Sequence, residues 1–156
     1  GSDKEIALFL HKSLAGRMEA FYGRQVPFAQ YVTQVQRYAG ESSPDTAAAS
    51  ALVYDRRTRA LAGLCLISMW QGLPFVDVLT VHPGYTRRGL ATAMLKRALT
   101  LLNQRGYPLL RLRVTEGNPA ESVFRRLGFM AGPPEVSRMF LGGPSPFPLT
   151  NALPLL

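Results

Sequence analysis

A β-type segment, a glycine-containing loop and an amphipathic helix follow one another in FVDVLTV-HPGYTRRG-LATAMLKRALTLLNQ, residues 75–104. Pro83 cannot donate to a β-ladder, and Gly84 and Gly89 permit tight or left-handed backbone. Further along, LLRLRV at 109–114 alternates as a strand does. Because a helix lies between two strands, at least part of the sheet is predicted to be parallel.

The remaining pattern places helices before the sheet and short strands within it. Apolar residues at helical spacing predict a helix over 3–22 and a second helix from Pro27. The other predicted elements are a loop at 41–46, strands at 51–55, 60–69 and 136–141, a helix at 119–127 and an irregular Pro-rich tail. The fold class is therefore α/β, with a mixed, mostly antiparallel sheet flanked by helices.

Length and composition fit one domain, which we place at 3–141, followed by the tail at 142–156. Residues 1–2 resemble the remnant of an expression tag. The longest apolar runs, such as 61–67, are too short to span a bilayer. The single Cys65 lies in an apolar strand, where a core role is expected, and it fits a reducing compartment. We therefore expect a cytoplasmic protein without membrane association.

Positive charge is concentrated in the second half of the chain. Residues 1–81 hold 8 Lys and Arg against 7 Asp and Glu, whereas residues 82–156 hold 10 against 3. The second half thus carries +7 of the net charge of +8. Such a half indicates either an anionic partner or a solvated arginine-rich surface. Nucleic acid is not the expected partner, because neither interleaved aromatics nor a recognition-helix pattern accompanies the charge.

The loop at 82–89 has the properties of a phosphate site. A helix that begins near Leu90 leaves unpaired backbone N–H groups, and its dipole favours an anion there. Arg87 and Arg88 add positive charge at the same place. The loop matches neither the Walker pattern nor the dinucleotide fingerprint. A purely structural turn remains the alternative.

Two segments of the chain resemble the GNAT superfamily of N-acetyltransferases. Val81-His82-Pro83 followed by TRRGLA at 86–91 is similar to the loop on which that family binds the acyl-CoA pyrophosphate, with Thr86 where Arg or Gln is usual. GNPAESVFRRLGF at 117–129 resembles the family's Asn-containing helix ending in Leu-Gly-Phe. The resemblance covers roughly residues 50–141. It implies a GNAT-like sheet that splays at a parallel strand pair, and acetyl-CoA as cosubstrate. No metal is expected, because His11 and His82 have no ligand partners at suitable spacing.

The resemblance also implies which residues contact the cosubstrate. Backbone groups of Leu79, Thr80 and Val81 would pair with the pantetheine arm, joined by Asn118 from the start of the later helix. The pyrophosphate would rest on the N–H groups of Arg87, Arg88, Gly89, Leu90, Ala91 and Thr92. Phe124 and Arg125 would also lie on the cofactor side. Arg125 and Arg126 are candidates for the adenosine phosphates, or else solvated helix residues.

The implied reaction is direct acetyl transfer to an amine, which requires a base for the amine proton. Asp77 is the acidic residue within strand 75–81, and by alternation it shares a face with Leu79 and Val81. A structural carboxylate is the alternative. Glu116 is the second candidate base, against a solvated loop residue. Phe124 stands where many family members have a Tyr thought to protonate the leaving thiolate, and it has no proton to give.

This departure leaves two functions open: an N-acetyltransferase, or a non-catalytic acyl-CoA-binding or sensory module. The acceptor is expected to be a small-molecule, peptide or protein amine, and the protein a monomer or homodimer. Possible ammonium contacts are Glu41, Asp45 and Asp77. Trp70 and Phe75, and likewise Tyr22, Tyr31 and Tyr38, are expected either to pack in the core or to line an acceptor pocket.

Overall fold

The computed structural model describes residues 2–114, 121–129, 139–140, 143–144 and 151–154. Its helices are α1 (Ser2–Tyr22), α2 (Phe28–Glu41), α3 (Pro44–Ala49), α4 (Leu90–Gln104) and α5 (Glu121–Arg126). Its strands are β1 (Ala51–Tyr54), β2 (Leu61–Trp70), β3 (Leu73–Val81), β4 (Arg111–Val114), β5 (Met139–Phe140), β6 (Gly143–Pro144) and β7 (Asn151–Pro154). Three helices thus precede the first described strand.

The central sheet has five strands in the order β1-β2-β3-β4-β7. Its pairs are antiparallel except β3 with β4, which run parallel. Among the described residues this parallel pair is joined where Phe75 lies opposite Arg111, although β3 continues to Val81. The two strands are therefore held together near their amino ends and part toward their carboxyl ends. The predicted mixed sheet, mostly antiparallel and splayed at a parallel pair, is confirmed.

Helices cover both faces of the sheet, which explains the unbroken apolar run in β2. Cys65 and Ile67 pack in one cluster with Met94, Leu95 and other residues of α4. Leu64 and Leu66 pack in the opposite cluster, with residues of α1 and α2. A strand buried on both faces needs apolar side chains at every position rather than at alternate ones.

Most predicted elements are confirmed, and α4 begins and ends where the sequence pattern indicated. The predicted loop at 41–46 is wrong, because α3 begins inside it at Pro44. Ser43 Oγ accepts from Thr46 N at 3.2 Å, and Ser43 N donates to Thr46 Oγ1 at 2.9 Å. This reciprocal capping, with Pro44 in the first turn, is enough to start a short helix.

The C-terminal region differs from the prediction. Of the strand expected at 136–141, residues 139–140 are described, and they pair with β6 in a separate two-stranded sheet. The place beside β4 is taken instead by β7, from the tail expected to be irregular. Without β7, β4 would present a row of unpaired backbone groups, which is costly at a sheet edge.

Candidate active site

The loop between β3 and α4 is shaped by its own hydrogen bonds. His82 N donates to Ala62 O at 2.7 Å, which continues the β2–β3 pairing past Val81. Tyr85 N then donates to His82 O at 2.8 Å, closing a single 3₁₀ turn at Pro83–Tyr85. His82 Nδ1 accepts from Gly84 N at 3.0 Å. The loop therefore has a defined backbone conformation up to its two arginines.

Left-handed backbone brings the chain from this loop into α4. Arg87 has φ of 65° and Gly89 has φ of 77°, and Gly89 is the N-cap residue of the helix. The first helical hydrogen bond runs from Ala93 N to Gly89 O at 2.9 Å. The N–H groups of Leu90, Ala91 and Thr92 thus lie ahead of the helical ladder, in the position that suits an anion.

The surroundings of Gly89 are compatible with a bound pyrophosphate. A Cβ added to Gly89 would meet no atom within 4 Å, so the space in front of the helix start is open. Arg87 and Arg88 are exposed at its rim. Open space, N–H groups and positive charge at one point fit a pyrophosphate. Since no atom crowds the missing side chain, glycine is favoured at this position by its left-handed φ rather than by close packing.

Helix α4 is fixed against the sheet by a close contact at Gly63. Gly63 lies opposite Val81, and a Cβ on it would stand 3.2 Å from Met94 Cε. Leu79 and Val81 pack against the cluster that contains Met94, whereas Thr80 is buried opposite Leu64. Leu79, Thr80 and Val81 lie beyond Phe75, the residue at which β3 pairs with β4, and so they belong to the stretch of β3 that has parted from β4. This is where the resemblance put the pantetheine contacts.

Asp77 lies in a β-bulge. Leu66 pairs with Val78 and Ile67 with Val76, so Asp77 is the extra residue of β3. Val76 consequently packs in the α4 cluster and Val78 in the opposite one. The alternation by two that grouped Asp77 with Leu79 and Val81 stops here, so that part of the prediction loses its basis. Bulges re-aim side chains and are over-represented next to active sites.

The half-buried Asp77 is electrostatically close to Tyr38 of α2. Burial raises the pKa of the Tyr38 phenol, a hydrogen bond with Ser50 opposes that rise, and the charge of Asp77 adds to it. Tyr38 Oη shares this hydrogen bond with Ser50 Oγ, which in turn accepts from Ile67 N at 2.9 Å. From the sequence, Tyr38 was expected either to pack in the core or to line an acceptor pocket. No pattern in the sequence indicated that it would lie near Asp77.

Among the candidates later in the chain, Phe124 lies in the core and Arg125 at the surface. Glu116 and Asn118 lie outside the described residues. Phe124 is 6% exposed and packs edge-on against Phe129, with ring centroids 6.0 Å apart. Arg125, by contrast, is exposed in the last turn of α5. Phe124 is therefore a residue of the core cluster formed with α4.

Asp45 was expected as a possible ammonium contact, but its carboxylate instead bonds Arg105 and Tyr107. Arg105 forms a salt bridge with Asp45, and Tyr107 Oη donates to its other oxygen at 2.7 Å. These two bonds lower the pKa of the Asp45 carboxyl, the Arg105 bond most. Asp45 ties α3 to the end of α4, so the prediction of an ammonium contact is corrected.

Three side chains that the sequence singled out, Cys65, Trp70 and Phe75, pack against their neighbours. Cys65 is fully buried in the cluster formed with α4, which confirms that it is a core residue, and this burial raises the pKa of its thiol to about 12. Trp70 and Phe75 lie edge to face with centroids 5.4 Å apart, and the Arg111 guanidinium stacks 4.6 Å from the Trp70 ring centroid. Both aromatics belong to the closed end of the parallel pair.

Two absences characterise the residues that the structure describes. Within them, no group of three or more His, Cys, Asp or Glu is placed to hold a metal ion. Among the described helices, none is both long and apolar enough to cross a membrane.

Comparison with known proteins identifies the family. The family model described as "Acetyltransferase (GNAT) family" matches residues 18–129. The chain therefore belongs to the GNAT family of acetyltransferases, and the resemblance noted in the sequence is confirmed. The enzyme class of this family is acyltransferase. No curated protein sequence matches the chain.

Solved structures with this fold include three that carry acetyltransferase names. Nourseothricin acetyltransferase has a TM-score of 0.56 at 23% identity, over 68% of this chain and 63% of that one. A GNAT-family acetyltransferase from Staphylococcus aureus Mu50 has a TM-score of 0.69 at 10% identity, over 98% of this chain and 91% of that one. PaiA N-acetyltransferase from Thermoplasma acidophilum, in complex with coenzyme A, has a TM-score of 0.63 at 12% identity, over 99% of this chain and 92% of that one. This chain thus spans less than two thirds of nourseothricin acetyltransferase, and at these identities the likeness shows the fold.

Proposed function

We propose that the protein transfers an acetyl group from acetyl-CoA directly to a primary amine. The observation that carries this proposal is the start of α4, where a left-handed Gly89 with open space around it directly follows two exposed arginines. The loop that contains them follows a strand that parts from its parallel neighbour. Family membership gives the reaction class. The N–H groups of residues 87–92 would hold the pyrophosphate, and the freed edge at Leu79–Val81 the pantetheine arm.

In this proposal Asp77 takes the proton that the amine must lose before it attacks. Acetyl-CoA, when bound, supplies an acetyl group activated as a thioester. Asp77 is half-buried in a bulge of the strand that leads to the phosphate loop, and its charge reaches Tyr38. A half-buried carboxylate is partly shielded from water, which favours a group that takes up a proton. Glu116 stays the second candidate base.

The acceptor is proposed to be an amine of a small molecule, a peptide or a protein. Helices α1 and α2 cover the face of the sheet opposite α4, and they bring Tyr38 toward the bulge. We propose that this side receives the amine. A cytoplasmic location and a monomeric or homodimeric state complete the proposal.

Calorimetric titration with acetyl-CoA and with CoA is the first test. Micromolar binding of both, followed by release of free CoA thiol when an amine panel is added, would support the proposal. No detectable binding would show that residues 82–92 are only a turn between a strand and a helix, and the proposal would be wrong.

Phe124 favours a second candidate, a non-catalytic acyl-CoA-binding module. A buried Phe in contact with Phe129 cannot protonate a thiolate. Acetyl-CoA binding without thiol release on any amine would support this second function. Thiol release with a defined amine would instead mean that water, another hydroxyl or backbone donors assist the leaving thiolate.

Asp77→Asn tests the proposed base. We expect turnover to fall while CoA affinity stays nearly unchanged, with the largest loss at low pH, where the amine most needs a base. Asp3→Asn, in the first turn of α1, is the control for a lost carboxylate. Equal activity of Asp77→Asn and the parent across pH would remove Asp77 from the mechanism.

A further inference from the structure

The turn between β1 and β2, residues 55–60, is strongly basic. It contains Arg56, Arg57 and Arg59, and all three side chains are exposed. Asp55 is the acidic residue of the turn. Exposed like charges repel one another, so such a group is best accommodated where an anion can lie between its members.

This turn and the phosphate loop lie at the same end of the sheet. Tyr54 at the end of β1 is opposite Leu61 at the start of β2, and Gly63 two residues further on is opposite Val81. His82 N still donates to Ala62 O at 2.7 Å. The chain that leaves β3 for the phosphate loop therefore starts beside the β1–β2 turn.

A direct hydrogen bond docks the turn onto the loop. Tyr85 Oη donates to Asp55 Oδ2 at 2.5 Å, although the two residues are 30 positions apart. The Arg88 guanidinium lies over the ring of the same Tyr85, 5.3 Å from its centroid. Tyr85 thus joins the acidic residue of the turn to an arginine of the phosphate loop.

Both carboxylate oxygens of Asp55 accept hydrogen bonds that shape the turn and attach it to the loop. Its Oδ1 accepts from Arg57 N at 2.7 Å and from Thr58 N at 3.2 Å, while Oδ2 accepts from Tyr85. Arg59 N also donates to Asp55 O at 2.8 Å. The carboxylate fixes the shape of the turn and its attachment to the phosphate loop, and the three arginines of the turn are exposed, as Arg87 and Arg88 are.

We propose that the β1–β2 turn is a second phosphate-binding element, in which Arg56, Arg57 and Arg59 recognise the 3′-phosphate of the CoA nucleotide. This inference rests on the proposed acyl-CoA function and deepens it. The pyrophosphate would occupy the α4 start, and the terminal phosphomonoester would meet the docked turn. Recognition by forked guanidinium groups suits a phosphate monoester, which offers several oxygens to paired N–H donors.

The test compares CoA with dephospho-CoA by calorimetric titration. The parent protein should bind CoA about tenfold more tightly, the change expected for one charge-assisted contact. A triple variant, Arg56→Gln with Arg57→Gln and Arg59→Gln, should lose that preference and keep the parent's affinity for dephospho-CoA. A charge-matched triple variant on exposed residues elsewhere, Lys12→Gln with Arg24→Gln and Lys96→Gln, should keep the preference.

Two further variants locate the contact. Tyr85→Phe removes the docking bond and leaves every arginine in place, so it should weaken the preference for CoA while circular dichroism shows an intact fold. Arg125→Gln with Arg126→Gln, on α5, should leave the preference unchanged.

The failures of the two proposals are distinguishable. If the parent binds neither CoA nor dephospho-CoA, the acyl-CoA function itself is wrong. If it binds both equally, or if the turn variant retains the preference, the function stands and the role of the turn is wrong. A preference lost in the α5 variant instead would transfer the 3′-phosphate to Arg125 and Arg126 and overturn the inference. If the turn variant loses affinity equally for CoA and dephospho-CoA, its arginines attract the ligands by general electrostatics and do not recognise the 3′-phosphate. That result would also overturn the inference.

Discussion

At the scale of single residues, Gly89 is the position on which the phosphate loop depends. Its φ of 77° is strained for most residues, and open space lies before it. Gly89→Glu should therefore fold with a loss of about 1–2 kcal/mol but fail to bind CoA, because it places a carboxylate in the cradle. Urea unfolding and calorimetric titration measure the two effects.

Gly89→Asn is the matched control for this prediction. Asn adopts left-handed backbone more readily than other residues with a side chain, and it carries no charge. It should be more stable than Gly89→Glu and retain measurable CoA affinity. Undiminished affinity in Gly89→Glu would mean that the loop does not contact phosphate.

The Asp45 carboxyl makes the stability of the protein depend on pH. Its pKa is lowered by Arg105 and then by Tyr107, so the folded state holds the carboxylate more strongly than the unfolded chain does. The resulting stabilisation is present above the unfolded pKa of about 3.9 and is lost as pH falls through the lower folded pKa. Asp45→Asn should therefore lower the urea midpoint at about pH 7, and its difference from the parent should shrink as pH falls below the unfolded pKa of about 3.9.

Glu41→Gln is the control for Asp45→Asn, since Glu41 is an exposed acid at the end of the neighbouring helix. Its urea midpoint should follow the parent's across the same range. A constant difference between Asp45→Asn and the parent at every pH would show that packing, rather than charge, is lost.

At the scale of elements, Arg111 closes one end of the parallel strand pair. Its guanidinium donates to Trp70 O and to Gln71 Oε1, the latter at 3.2 Å, and it stacks on the Trp70 ring. The same residue lies opposite Phe75 in the pair's described register. Arg111 thus ties β4 to the β2–β3 turn at the closed end, while the carboxyl ends of the strands diverge.

Arg111→Lys should lower the free energy of unfolding by about 1 kcal/mol, because an ammonium group keeps the charge but loses the planar fork and the stacking. Urea unfolding measures the change. Arg126→Lys, at an exposed position of α5, is the matched control and should be neutral. If both variants unfold alike, the contacts of Arg111 are not what holds β4 in place.

At the scale of the whole molecule, the sequence predicted what local patterns determine. The boundaries of α4 follow from its apolar period and the glycines at 89 and 106, and the phosphate loop follows from the residues within it. The bulge at Asp77 could not be predicted, because it depends on the register between β2 and β3. Nor could the Tyr85–Asp55 bond, which joins residues 30 positions apart.

The strand β7 is the largest feature that local patterns missed. It pairs Asn151 with Val114 and Pro154 with Arg111, across a separation that no turn signal bridges. The short Pro-rich segment gives little strand signal of its own, because what it supplies is a partner for an edge. The fold is thus closed on the β4 side by the last described residues of the chain.

Removal of this strand is the prediction that tests the closure. A chain ending at Thr150 should lose about 1–2 kcal/mol of unfolding free energy and self-associate with rising concentration, since β4 becomes an open edge. Urea unfolding and sedimentation velocity measure the two effects. A chain ending at Pro154 is the control, because it keeps every residue of β7 and should behave as the parent does. If the chain ending at Thr150 also matches the parent in both measurements, β7 does not protect β4 in solution.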